Sequence, residues 1–193
     1  MPITELDERT ALLIIDLQKG SESRPTAPHN LTDVVANSKK LAAAFRARNL
    51  PVFLTRFTID PDGPSPTPGR TDLGPRAFQP LPEGWDTLID GLAHPSDTII
   101  TKRTWGSFHA TDLNLHLRRH AITHLVITGI ATTLGVESTA RSAHEHGYNL
   151  TIPTDATTDL TTESHTHATT KIFPLIAETG TTAEVLATLK TLR

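Results

Sequence analysis

The chain has 193 residues, with 18 Lys and Arg against 21 Asp and Glu, a formal charge of −3, 37% hydrophobic residues and no cysteine. That length suits one ordinary α/β domain over residues 1–193 with a full hydrophobic core. The mild acidity offers no footprint for a phosphate backbone, and the lack of any thiol excludes disulfides, thiolate metal sites and a cysteine nucleophile together. No apolar run approaches the roughly 20 residues of a membrane span. Met1 leads into the polar residues 4–10 rather than a basic and then apolar signal, so the expectation is a cytoplasmic protein whose partner is neither membrane nor nucleic acid.

Residues 11–15 form a short continuous apolar run ending at Asp16, the pattern of a strand buried on both faces with a carboxylate at its carboxyl end. Over 33–48, Val34, Val35, Leu41, Ala42 and Phe45 mark one helix face, with Thr32 or Asp33 as N-cap. A second strand follows over 51–55. The stretch 58–82 is rich in Pro, Gly, Asp and Thr and has neither period, so it reads as a long loop emerging beside Asp16. Further strands are expected over 98–101, 125–128 and 150–153. They alternate with helical patterns over 111–120, 132–146 (closed by Gly147), 163–177 and 183–192, and a brief strand around 178–181 completes the set. The alternation predicts a three-layer α/β/α, Rossmann-like fold with a central, mostly parallel six-stranded sheet.

Asp16 ends strand one, Lys102 ends strand three, and Gly135 lies in the first helical turn after strand four. Taken singly, a strand-end carboxylate more often serves a turn, and a lysine is more often solvated. Together they would meet at the crevice outside the carboxyl ends of an open sheet, where ligands bind. The strings around them carry more. Thr10-Ala-Leu-Leu-Ile-Ile-Asp16-Leu-Gln18, Thr101-Lys102-Arg-Thr-Trp-Gly-Ser107-Phe108 and Thr128-Gly-Ile-Ala-Thr-Thr-Leu-Gly135-Val-Glu-Ser-Thr-Ala-Arg141 each resemble a signature of the isochorismatase-like hydrolase superfamily, in its order and at its spacing.

In cysteine-bearing members of that superfamily, such as nicotinamidases and carbamoylsarcosine amidohydrolases, Asp, Lys and Cys form a triad that attacks an amide. Here Gly135 stands at the position of the cysteine, and Thr132 and Thr133 would need a base at a different position to replace it. Phenazine-pathway isochorismatases, a branch of secondary metabolism, resemble the chain in carrying glycine there, and they cleave a vinyl ether without a covalent intermediate. The resemblance therefore implies a hydrolase of a small anionic, isochorismate-type substrate, with Asp16 as general acid, Lys102 as electrostatic partner and pyruvate as product. Desolvation raises the Asp16 carboxyl and the lysine lowers it, and the sequence leaves the winner open. Residues 131–135 are expected to offer free helix-start N–H groups, with Ala131 and Thr132 among the substrate-binding positions and a cis peptide at Ile130–Ala131 carried over from the family. Arg70 or Arg76 on the long loop, or Arg56, would supply a cation, and Trp105 and Phe108 either wall the pocket or pack into the core.

Neither His165 with His167 nor His144 with His146 has the spacing of a metal pair, so no metal and no cofactor is expected. His29 lies on the first loop, within reach of a substrate there, and Glu137 with Arg141 reads as an ordinary i, i+4 salt bridge. The resemblance also implies a homo-oligomer, dimer or tetramer. The rival expectation is a catalytically silent binding or assembly protein that retains the fold.

Overall fold

The computed structural model describes residues 3–59, 72 and 82–192. Strand β1 (Thr10–Ile15) is buried along its whole length. Each of its four large aliphatic residues, Leu12 to Ile15, contributes about 1.5–3 kcal/mol of burial. A one-turn helix α1 (Lys19–Glu22) and the long helix α2 (Leu31–Ala47) precede β2 (Val52–Phe57) and β3 (Thr98–Lys102). Then come α3 (Leu113–Arg119), β4 (His124–Ile130), α4 (Glu137–Glu145), β5 (Asn149–Pro153), the two-residue β6 (Thr157–Thr158), α5 (Thr162–His167), β7 (Glu178–Gly180) and α6 (Thr182–Thr191).

The strands form one sheet in the order β3-β2-β1-β4-β5-β7, with β6 paired to β4, and every registered pair is parallel. Among the described residues seven strands therefore stand where six were expected. The addition is β6, whose Thr-Thr carries no apolar signal. Alternate residues of β1 face opposite layers. Leu12 and Ile14 pack with Val34, Leu41 and Phe45 of α2 and Val185 and Leu189 of α6. Ala11, Leu13 and Ile15 pack with Leu113 and Leu117 of α3 and Ala140 and Ala143 of α4. Helices thus cover both faces, as parallel sheets require.

Besides shifts of one or two residues at the ends of α3 and α6, three helical segments differ from expectation. Helix α2 starts two residues early, with Asn30 as N-cap, because its carbonyl accepts the amides of Asp33 and Val34 and so draws the buried Leu31 into the first turn. The pattern over 132–146 opens as a π turn (Thr132–Val136) before α4. The pattern over 163–177 breaks into α5, a π turn (Ala168–Ile172) and a 3-10 turn (Phe173–Leu175). Pro174 explains the last break: it has no N–H to donate and its ring clashes with the carbonyl four residues back. One glycine is dictated by close approach. Gly129, with φ of +120°, lies against β1, where a Cβ would run into the Ile15 carbonyl oxygen.

Candidate active site

The chain leaves β1 toward β2 on one side of the sheet and β4 toward β5 on the other, so the crevice outside their carboxyl ends is the topological switch point. Asp16 follows β1 directly and takes a left-handed backbone, φ +51°, which costs a non-glycine residue about 1–3 kcal/mol. Its Oδ1 accepts the Thr55 hydroxyl at 2.8 Å, and its Oδ2 lies 2.6 Å from Lys102 Nζ. Lys102 reaches it from two strands away. At the end of β3 it is registered with Phe57, and its stem crosses the end of β2 with the ammonium 5.8 Å from the Phe57 ring centre. Gln18 holds that strand end in place: its Nε2 donates to the Phe57 carbonyl at 2.9 Å and its Oε1 accepts the Phe57 amide at 2.7 Å.

Lys102 is 1% exposed and the Asp16 side chain 15%. The ammonium also donates to the carbonyls of Trp105 at 2.7 Å and Thr104 at 3.1 Å, so a buried cation is bonded through all three of its hydrogens. Burial pushes the Asp16 carboxyl above its ordinary value. The Lys102 charge, and hydrogen bonds from Lys102 and Thr55, pull the other way without overcoming it.

The peptide Ile130–Ala131 is cis, and the π turn after it brings Gly135 against Asp16. A Cβ built on Gly135 would lie 3.0 Å from Ile15 Cγ2, 3.2 Å from Asp16 Oδ2 and 3.2 Å from the Ile130 carbonyl oxygen. Two of the N–H groups expected to be free over this turn, those of Thr133 and Leu134, are already taken. Asp159 Oδ2 accepts the Thr133 amide at 2.6 Å and its hydroxyl at 2.7 Å, while the Ala131 carbonyl accepts the amides of Leu134 and Val136. The chain's own carboxylate therefore occupies the positive end of the turn, the place a helix start offers to an anion. Thr132 is fully buried, and its hydroxyl pairs with His165 Nδ1 at 2.9 Å.

The remaining predicted positions separate. Trp105 contributes its carbonyl to Lys102 while its indole stays 46% exposed. Phe108 packs its ring on His146, 5.0 Å between centres, and on Tyr148. Arg56 is held by the Thr101 hydroxyl through Nε and lies 4.0 Å from Asp86. Arg70, Arg76 and most of the expected long loop lie outside the described residues. Glu137 and Arg141 form their i, i+4 pair at 2.9 Å. Thr55, Gln18, Asp159 and His165 were not singled out as site residues. For Thr55 a signal existed, since it closes the expected strand over 51–55.

A parallel sheet covered on both faces, with a buried Asp–Lys pair at its switch point and a tight turn after β4, defines the isochorismatase-like class of α/β protein. The model of the isochorismatase domain matches residues 10–184. Over 181 residues the chain is 42% identical to the uncharacterized isochorismatase family protein YecD of Escherichia coli O157:H7, covering 93% of this chain and 96% of that protein. An isochorismatase family protein from Burkholderia thailandensis has a similar structure, with a TM-score of 0.92 and 42% identity over 97% of this chain and 99% of that one. A cysteine hydrolase from Pseudomonas syringae pv. phaseolicola 1448A gives a TM-score of 0.86 at 25% identity, over 100% of this chain and 98% of that one. The chain belongs to the isochorismatase family.

Proposed function

We propose that this chain is a hydrolase that works without a thiol, cleaving the enolpyruvyl ether of a small anionic, isochorismate-type substrate by general-acid catalysis. The observation that carries this reading is the Asp16 carboxyl: buried, pushed above its ordinary value, and turned with Oδ2 toward the side-chain-free face of Gly135. A group needed as an acid near neutrality requires that upward shift. Gly135 stands at the position of the family's cysteine, and a larger side chain there would fill the space beside Oδ2.

The step balances without a covalent intermediate. The Asp16 proton goes to the terminal CH2 carbon of the ether's C=C bond, forming a methyl group and an oxocarbenium ion. Water adds to the internal, ether-bearing carbon of that ion and returns a proton to Asp16. The hemiketal then expels the ring alcohol and leaves pyruvate. Lys102 stabilises the carboxylate that Asp16 becomes once the proton has left, at 2.6 Å. Thr55 fixes the orientation of the same carboxyl through Oδ1. Thr132, whose hydroxyl pairs with His165, is fully buried, which supports a reading in which it does not replace the missing thiol.

The test is pyruvate release from isochorismate and aminodeoxyisochorismate by the wild type and by Asp16→Asn. Release by the wild type and a loss of at least about 100-fold in the variant is expected, in line with removal of a general acid. Equal rates in both proteins, or none in either, would overturn the reading for these substrates; the second result would favour the silent binding protein.

A further inference from the structure

The turn that carries Gly135 is clamped from behind by one segment of chain. Asp159 holds Thr133 at the amide and hydroxyl, and His165, projecting from α5, holds the Thr132 hydroxyl. His165 is 5% exposed, and the ring of His29 stands edge-on to it, 5.4 Å between centres with planes at 86°. His29 is itself fixed, because its carbonyl accepts the hydroxyls of Thr26 and Thr158 at 2.8 and 2.7 Å.

We infer that His165 is a positioning residue for the turn bearing Gly135, and that its pairing with His29 makes that placement sensitive to pH. A neutral imidazole can accept the Thr132 hydroxyl or donate to it. A protonated ring can only donate, and it places a cation in a buried pocket beside a second imidazole. Burial first and His29 second hold His165 below its ordinary range, opposed by the Asp159 carboxylate. Among the described residues, His29 and Asp159 are the titratable groups that reach His165 from neighbouring elements. On α5 itself, Glu163 and His167 face solvent. Acid therefore favours release of the ring from its pocket, and with it the hold on Thr132.

The catalytic consequence rests on the vinyl-ether reading above. Activity would fail as pH rises because Asp16 must be protonated, and as pH falls because His165 must be neutral. The sharper test needs no turnover. In 1H–15N spectra of the unliganded full chain, the amides of Thr133 and Gly135 should move with the midpoint of the His165 ring. That transition should vanish in His165→Asn, whose side-chain amide can keep a bond at the Nδ1 position. In His29→Gln it should shift to higher pH, since the His29 ring is removed from beside it and that ring, after burial, is what lowers His165. A Gly135 amide that stays still while His165 titrates overturns the inference, whether or not the chain hydrolyses any ether. An unmoved midpoint in His29→Gln does the same for the pairing, and that variant remains decisive if His165→Asn fails to fold.

Discussion

Replacing Lys102 by Met removes the cation that neutralises Asp16 while keeping most of the stem that packs over Phe57. Stripping one partner from a buried pair typically costs about 3–5 kcal/mol, because the other charge is left uncompensated. Here the carboxyl has an escape. Burial already pushes it upward, so without the lysine it takes up a proton at still higher pH. The loss should then be largest at pH 8 and shrink by up to about 1.4 kcal/mol for each unit of acidification until the carboxyl is neutral. Asp16→Asn leaves Lys102 with the carbonyls of Thr104 and Trp105 only, and should also be destabilising. In the double variant both charges have been removed from contact, so its loss should fall short of the sum of the singles by at least about 2 kcal/mol. Urea unfolding of the four proteins at pH 6, 7 and 8, followed by circular dichroism and by the fluorescence of Trp85 and Trp105, measures this coupling. Losses that add to within about 0.5 kcal/mol at every pH would refute the claim that the two groups form one buried unit.

Gly129→Ala should destabilise by about 3 kcal/mol or more, since it forces a Cβ into the β1 backbone at a positive φ, and a variant with an unchanged melting temperature would contradict the packing. Asp159→Asn keeps the shape but loses charge-assisted bonds to Thr133, with an expected cost of about 1.5–3 kcal/mol in chemical denaturation. His124 is buried against Asp7 and Thr151, and burial holds its ring below the ordinary range despite the Asp7 carboxylate. The unfolded chain therefore binds this proton at higher pH than the folded one. The group's contribution is complete above about pH 6.5 and declines as pH falls through that value. Wild type should accordingly lose more stability than His124→Gln between pH 7.5 and 5.5, and parallel curves would sink this assignment.

The sheet was legible because β1 and β4 are continuous apolar runs, and only a strand buried on both faces satisfies such a run so close to turn residues. Asp16 and Lys102 stood out because each ends an expected strand inside a string that resembles a signature of the isochorismatase-like superfamily. That Lys102 crosses β2 to meet Asp16 could not be read, since the order of strands in the sheet fixes that distance and spacing along the chain does not. The Asp159 clamp was also hidden, being 26 residues from Thr133 with no periodicity joining them. Phe108 offered the sequence two equal fates, and its packing on Tyr148 comes from chain segments 40 residues apart that no local pattern joins. Pro174 is a visible breaker inside the helical pattern over 163–177.

An ammonium has three hydrogens, and in Lys102 each already has an acceptor: Asp16 and the carbonyls of the second and third residues beyond Lys102 itself. Such a group has no hydrogen to offer an incoming molecule unless an existing bond breaks. It behaves as a resident ion assembled from the chain, felt by a bound anion through its field and seated by the peptide that follows it. Arginine, whose fork would need a different set of acceptors, is therefore a poor substitute at this position even though the charge is the same.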